Sequence, residues 1–498
     1  MKKLTFPTAH TILLILAAIV AVSTWIIPSG KYDTLGYDEE TNMFVFQSLE
    51  IQETYPATQE TLDNFGIRTD VSKFTNGDIW KPVGIPGTYQ TIPSNKQGLV
   101  DFILSPLKGI MEAIDVVLFV LIIGGFIGVV HFTGVFDAGV GWLAKRLQGR
   151  ETLLIVIITS LIALGGTTFG LAEETIAFYP ILVPVFLAAR YDALVAVASI
   201  YVGSSVGTMC STINPFSVII ASDAAGINWT AGSTIRVAVL LLCLMICLWY
   251  IIRYAERVRK NPEKSIIYKQ QKAIEAKFLS KAIGEVNTFT WRSRLILTIF
   301  AMSFVVMIYG VSQLDWWFME MTAVFFVASI IIAFVARLKE KVFIENFIKG
   351  ASDLLSVALI IGIARGITVL MDDGAISDSL LYYSSSAVEG MPKGIFMNMM
   401  LFIFGGLSFF VPSSSGLAVL SMPIMAPLGD FVDLPRELIV NSYVWGAGLM
   451  AFITPTGLIL PSLTMVDVTY DKWIKFILPL LGILTLFIMI VLILLVYL

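Results

Sequence analysis

The feature that most constrains this chain is the recurrence of apolar runs of about 20 residues, each long enough to cross a ~30 Å hydrocarbon layer as one helix. A bilayer offers no water to backbone N–H and C=O groups, so a segment that crosses it must satisfy them internally. The composition agrees: 57% of residues are hydrophobic and 14% charged, against about 25% charged in soluble domains, and the mean hydropathy is +0.83. A water-soluble fold is excluded, and the expectation is an all-α polytopic membrane protein. The net charge of −4 says little, because the charges are segregated by loop. Cys210, Cys243 and Cys247 all lie in apolar stretches and suggest neither a disulfide framework nor a thiolate metal site. With only His10 and His131 in the chain, histidine metal sites and triads fall away as well.

Loop charges set the expected topology. The run at 8 to 27 follows Lys2 and Lys3 and ends in Trp25, Ile26 and Ile27, where signal cleavage needs small residues, so residues 1 to 27 read as an uncleaved first span. Segment 28 to 97 holds ten acids against five bases, while 253 to 294 holds eleven bases against four acids. By the positive-inside rule the second is cytoplasmic, as is the N-terminus, and the first is an external cap with strand and turn character. Spans then follow at 113 to 130, returning to Lys145, Arg146 and Arg150, and at 191 to 222 and 233 to 252. Beyond a basic loop at 255 to 292 come 293 to 311, 318 to 336, 352 to 370, 436 to 465 and 473 to 497. Residues 151 to 189 and 394 to 434 must start and end on one side, so both read as re-entrant hairpins. The count is nine crossings and two hairpins, with the C-terminus outside.

An internal repeat organises these spans. PLKG at 106–109 pairs with FIKG at 347–350, PILVP at 180–184 with PIMAP at 423–427, and Ile213-Asn214-Pro215 with Ile453-Thr454-Pro455. The offsets are 241, 243 and 240, in the same order. The copies, 98 to 254 and the part of 293 to 498 that follows an extra first span, run in opposite senses across the membrane. Inverted repeats with broken helices are a common plan of secondary transporters, because exchanging the conformations of two halves gives alternating access.

Each half contributes a hairpin tip and a helix break. Proline frees a carbonyl that suits a cation, and a half-helix N-terminus suits an anionic group. The candidate substrate residues are Glu173, Glu174 and Thr175 at the first tip and Ser211, Thr212 and Asn214 at the first break. In the second half they are Ser413, Ser414 and Ser415 at the tip and Thr454 and Thr456 at the break. A coupling sodium ion would take Ser211, Asn214, Gly416, Thr454 and Gly457. Two adjacent carboxylates at membrane depth are functional candidates by default; Glu173 and Glu174 suit a cationic substrate group, a proton or a sodium ion, unless the tip is solvated. Arg365, inside its span, either holds a substrate carboxylate, pairs with one of these glutamates, or makes a structural ion pair with Asp353 or Asp372. His131 reads as an interfacial residue. Gly203-Ser204-Ser205-Val206-Gly207 fits a G-x-S-x-G nucleophile pattern, but no histidine follows it, and its spacing is that of small-residue helix packing. HExxH, P-loop and GxGxxG motifs are absent, which argues against ATP drive and against an enzyme.

The paired hairpins, the STINP and ITPTG breaks and the acidic tip GLAEET resemble the C4-dicarboxylate anaerobic carrier family. Within it the chain looks most like the YfcC-like branch, whose members are usually labelled basic amino acid antiporters. The resemblance covers essentially the whole chain. It implies the ion-transporter superfamily fold: a homodimer with a fixed scaffold and a mobile domain moving as an elevator. Dicarboxylate carriers of that superfamily place Ser-Asn-Thr motifs at tips and breaks; Glu173 and Glu174 depart from this, and two carboxylates facing two carboxylates repel at low dielectric. The expectation is a secondary transporter of basic or zwitterionic amino acids in a bacterial cytoplasmic membrane, working by exchange or by sodium or proton coupling. No cofactor and no nucleic acid partner is expected. The alternative is a sodium-coupled dicarboxylate or other organic-anion carrier using Arg365. A distant one is an intramembrane serine hydrolase using Ser205.

Overall fold

A computed structural model describes residues 7 to 67, 69 to 75, 79, 82 to 135, 150 to 279, 290 to 314, 316 to 388 and 390 to 497. The topological anchors Lys2, Lys3, Lys145 and Arg146, and part of the basic loop, lie outside the described residues.

The first helix, α1 (Ala9–Ser23), is capped by the Thr8 side chain. Strands follow: β1 (Gly30–Lys31), β2 (Thr34–Asp38), β3 (Met43–Gln47), β4 (Gln52–Pro56), β5 (Val83–Gly84) and β6 (Gln90–Thr91). They form an antiparallel sheet of order β4-β3-β2-β5 and a β1-β6 ribbon. Alternation along the sheet turns Leu35, Phe44 and Val83 inward with Leu62 and Phe74, which gives this small domain its own apolar centre.

Then come α2 (Leu99–Glu112) and α3 (Ile114–Phe132), the hairpin arms α4 (Thr152–Phe169) and α5 (Tyr179–Ala188), α6 (Ala193–Met209) and α7 (Ser233–Lys260). The remaining principal helices are α8 (Trp291–Gln313), α9 (Phe318–Val335), α10 (Glu340–Asp353), α11 (Leu355–Asp373), α12 (Ser377–Ser386), α13 (Lys393–Phe410), α14 (Ser414–Phe431), α15 (Arg436–Ala451), α16 (Ile459–Met465) and α17 (Tyr470–Tyr497). Among the described residues eight helices are long and apolar enough to cross a membrane, and two of them, α4 and α13, are first arms of hairpins. The count of nine crossings is not matched helix for helix. The crossings at 191 to 222 and 436 to 465 are each divided by a break, and α1 is only 15 residues long. Two amphipathic helices, α2 and α10, occupy stretches where the span assignment had none, and a helix, Tyr268–Leu279, lies within the basic loop.

The two halves grip each other reciprocally. A Cβ at Gly109 of α2 would lie 2.7 Å from Gly366 Cα of α11, and one at Gly350 of α10 would lie 2.8 Å from Gly128 Cα of α3. Gly109 and Gly350 are the closing residues of PLKG and FIKG, 241 apart. Only a hydrogen at both places lets the backbones meet. Within each half the first hairpin arm packs along the helix that follows the hairpin. A Cβ at Gly203 would lie 2.9 Å from Thr159 O, and Gly446 similarly abuts the Leu401 carbonyl. The G-x-S-x-G match is therefore a helix-packing stripe.

Buried side chains gather into separate clusters. The largest unites both hairpins, α6, α7, α15, α17 and the strand domain. The others are built on α3, α8 and α9, and on α1 and α11. The strand domain is fastened by Ser29 Oγ donating to Gly374 O (2.8 Å), Tyr32 N to Asp378 Oδ2 (3.0 Å) and Thr69 Oγ1 to Asp223 O (2.8 Å). Lys73 and Asp223 form an ion pair at 3.3 Å.

Candidate functional site

The first hairpin turns because α4 stops at Gly170, whose φ of +77° is open to glycine at little cost. A side chain there would also strike Asn214, since a Cβ would lie 2.9 Å from its Oδ1. A 3-10 turn, Glu173–Phe178, follows and leads into α5. Glu174 is 8% exposed and accepts from Ala172 N at 3.0 Å. Glu173 is half-buried.

In the first break, α6 ends at Met209 and a π-helical turn resumes at Pro215. Between them the polar side chains replace lost helical bonds. Thr212 N donates to Thr167 Oγ1 (3.0 Å), and Thr167 Oγ1 donates to Cys210 O (3.0 Å). Asn214 Oδ1 caps the resumed helix by accepting from Phe216 N (2.9 Å), while its amide reaches Gly166 O (3.3 Å). Hairpin and break are thus stitched together by Thr167, Thr212 and Asn214. In the second half Ser413 caps α14 by accepting from Gly416 N (3.2 Å). Thr454 and Thr456 share a hydroxyl contact of 2.7 Å, and Thr456 donates to Phe409 O (2.9 Å).

A cavity of about 500 Å³ opens where these four irregular segments converge. Of the residues expected from sequence, Glu173, Glu174, Asn214, Arg365, Ser413, Ser414, Ser415, Thr454, Thr456 and Gly457 line it. Thr175, Ser211, Thr212 and Gly416 are not on its wall. Thr175 donates to Ala172 O (2.6 Å), Ser211 accepts from Ser217 (2.9 Å), and Thr212 and Gly416 serve the hairpin and the cap as above.

Sequence reasoning missed the opposite wall. Glu112, Asp115, Trp316 and Trp317 line the cavity from the ends of α2, α3 and α9, as do Tyr201, Thr208 and Tyr443. Among the described residues the charged lining is therefore Glu112, Asp115, Glu173 and Glu174 against Arg365, four negative groups to one positive, a formal −3. Arg365 pairs with none of the acids expected for it: its Nε donates to Glu112 Oε2 at 3.2 Å. Glu112 and Asp115 flank the start of the 113 to 130 span, just after the PLKG motif. Ser205 also lines the cavity. A buried charge near the start of α7 also lies outside the sequence-derived set: Arg236 is fully buried and donates to Ala231 O (2.9 Å), Trp229 O and Asn441 Oδ1 (3.2 Å), tying α7 to α15 away from the cavity. Buried guanidinium held by carbonyls is a structural clamp. Phe216 meets Trp317 edge to face at 5.0 Å, joining the first break to the opposite wall.

Among known proteins, the C4-dicarboxylate anaerobic carrier family model matches residues 6–497. A Haemophilus influenzae protein described only as uncharacterized is 45% identical over 485 residues, 97% of this chain and 95% of that one. The Escherichia coli protein described as "Putative basic amino acid antiporter YfcC" is 28% identical over 513 residues, again 97% and 95% of the two chains. Two solved structures align at low similarity. The YdaH transporter of Alcanivorax borkumensis has a TM-score of 0.40 at 12% identity, covering 98% of both chains. MtrF of Neisseria gonorrhoeae, described as one of a class of antimetabolite efflux pumps, has a TM-score of 0.41 at 13% identity, covering 99% of this chain and 96% of that one. With the family model spanning all but the extreme ends of a chain rich in membrane-crossing helices, this protein belongs to the C4-dicarboxylate anaerobic carrier family and is a multi-pass membrane transporter.

Proposed function

We propose that the protein is a secondary active transporter of basic or zwitterionic amino acids such as arginine or ornithine, working by alternating access. The observation that carries this reading is the single cavity shared by both tips and both breaks, with four carboxylates to one guanidinium. Such a wall attracts a cationic side chain and repels a doubly negative one. Glu174 and Glu173 hold the guanidinium or ammonium group. The α14 N-terminus at Ser413 to Ser415 and the break at Asn214 hold the carboxylate. Thr454 and Gly457 offer oxygen ligands for a coupling sodium ion; a proton taken by the glutamates is the other coupling route, and exchange the third. The name of the Escherichia coli relative points the same way.

The separate buried clusters suit an elevator, with the hairpins and breaks moving against α3, α8, α9 and α11. The reciprocal crossings at Gly109 and Gly350 suit two halves related by inversion. The protein would sit in the bacterial cytoplasmic membrane as a homodimer, N-terminus inside and C-terminus outside. Arg365 on the cavity wall, with the family's name, favours a second reading as a sodium-coupled dicarboxylate carrier.

Proteoliposomes offered labelled arginine, ornithine, glutamate and succinate in turn from outside, with and without sodium and pH gradients and with and without unlabelled substrate inside, test these readings. Uptake of arginine or ornithine is expected. Uptake of succinate alone, undiminished when Glu173→Gln and Glu174→Gln are combined, would overturn the proposal.

A further inference from the structure

Arg365 and Glu112 come from different halves of the chain and meet because α2 and α11 cross backbone to backbone at Gly109 and Gly366. The crossing sets Arg365 Nε 3.2 Å from Glu112 Oε2, on the cavity wall. Among the described residues this is the one hydrogen bond Arg365 makes. A guanidinium presents two faces that can take a carboxylate, the Nε side and the paired terminal nitrogens. Glu112 occupies the first and leaves the second free. It also cancels the one positive charge among the described wall residues, so their remaining field belongs to Asp115, Glu173 and Glu174.

We propose that Glu112 is a specificity-determining residue, which by neutralising Arg365 and occupying its Nε face excludes substrates carrying two negative charges. The inference rests on the amino-acid reading above and deepens it. A single substrate carboxylate still finds the terminal nitrogens of Arg365 or a helix N-terminus. A second carboxylate finds no uncompensated cation and three carboxylates around it. An unpaired like charge is one way a site rejects a near-relative of its substrate.

The test is Glu112→Gln in the full-length protein, read as succinate inhibition of arginine uptake and as succinate-induced thermal shift in detergent. The variant should bind succinate about tenfold more tightly or better, with a much smaller change in the KM for arginine. Glu112→Ala, which removes the same charge with a different shape, should behave alike, and Glu112→Asp should keep the wild-type ratio. Adding Arg365→Gln should abolish the gain. A Glu112 that merely supports the fold would lower arginine uptake without moving the succinate-to-arginine ratio, and that result would overturn the inference alone. If the wild type takes no arginine, the amino-acid reading fails, while the succinate thermal shift of Glu112→Gln still decides the role of Glu112.

Discussion

Replacing Glu174 by glutamine isolates the charge that the proposed function needs. The side chain is 8% exposed and uses one oxygen to accept from Ala172 N at 3.0 Å. Glutamine keeps that acceptor and almost the same volume, so the hairpin tip should hold its shape. What disappears is a buried carboxylate facing the cavity. A hydrogen bond to a charged group contributes about 1.5–3 kcal/mol, and at about 1.4 kcal/mol per decade this amounts to roughly a 10- to 150-fold weaker hold on a cationic side chain. Glu173 is more accessible, so its substitution should cost less, below about tenfold. The assay is initial uptake in proteoliposomes of arginine and of citrulline, whose urea group replaces the guanidinium without its charge. Glu174→Gln should raise the KM for arginine by that factor and leave any citrulline uptake within about twofold. Equal losses for both substrates would mean that the glutamate supports the tip rather than the ligand. An unchanged KM for arginine would remove Glu174 from the site.

Three further outcomes follow from the geometry. Gly109→Ala and Gly350→Ala each push a Cβ into backbone and should cost about 1–3 kcal/mol, seen as lower melting in detergent, whereas Gly482→Ala meets open space and should melt no lower than wild type; a Gly109→Ala protein as stable as wild type would contradict the backbone crossing. Thr454→Val removes a hydroxyl 2.7 Å from Thr456 Oγ1 and should raise the sodium needed for half-maximal uptake by about threefold or more; transport indifferent to sodium in the wild type would refute sodium coupling at this break. Asp378 lies outside the spanning helices, where burial first and then the neighbouring Asp372 push its carboxyl above the ordinary range despite the bond from Tyr32 N. The folded protein then keeps this proton to higher pH than the unfolded chain, so stability falls as pH rises from the unfolded value through the folded one. Asp378→Asn should melt progressively higher relative to wild type as the pH rises above the ordinary aspartate range of about 4, and parallel melting curves would refute the assignment.

Much of the architecture was legible because the bilayer restricts the choices. Runs such as 114 to 132 admit little but helix, and the prolines at 215 and 455 mark the two helix breaks, although Pro106, Pro423, Pro427 and Pro479 are carried inside continuous helices. Two of the residues in the three short matches at offsets of 240 to 243, Gly109 and Gly350, occupy close backbone crossings, which is why a small residue stands at both. The amphipathic helices α2 and α10 were missed because a window tuned to continuous hydrophobicity passes over a helix that is apolar on one face only. Thr175, Ser211 and Thr212 were placed at the site for their chemistry, yet local backbone groups claim their hydroxyls, which sequence spacing cannot reveal.

By itself the sequence determined that the chain spans a membrane repeatedly, that three short motifs recur at offsets of 240 to 243, and that its acidic and serine-rich tips differ. Those properties are local: hydrophobic run length, proline and glycine positions, and the charge of a short segment. Only the tertiary structure decided which charges share a cavity. Glu112 meets Arg365 through a crossing of helices more than 250 residues apart in the chain, so Arg365 takes Glu112 as its partner rather than either tip glutamate, and the pair shares its cavity with Asp115, Glu173 and Glu174. Such pairings depend on how closely two backbones approach, and here that distance was set by glycines at positions 109 and 366.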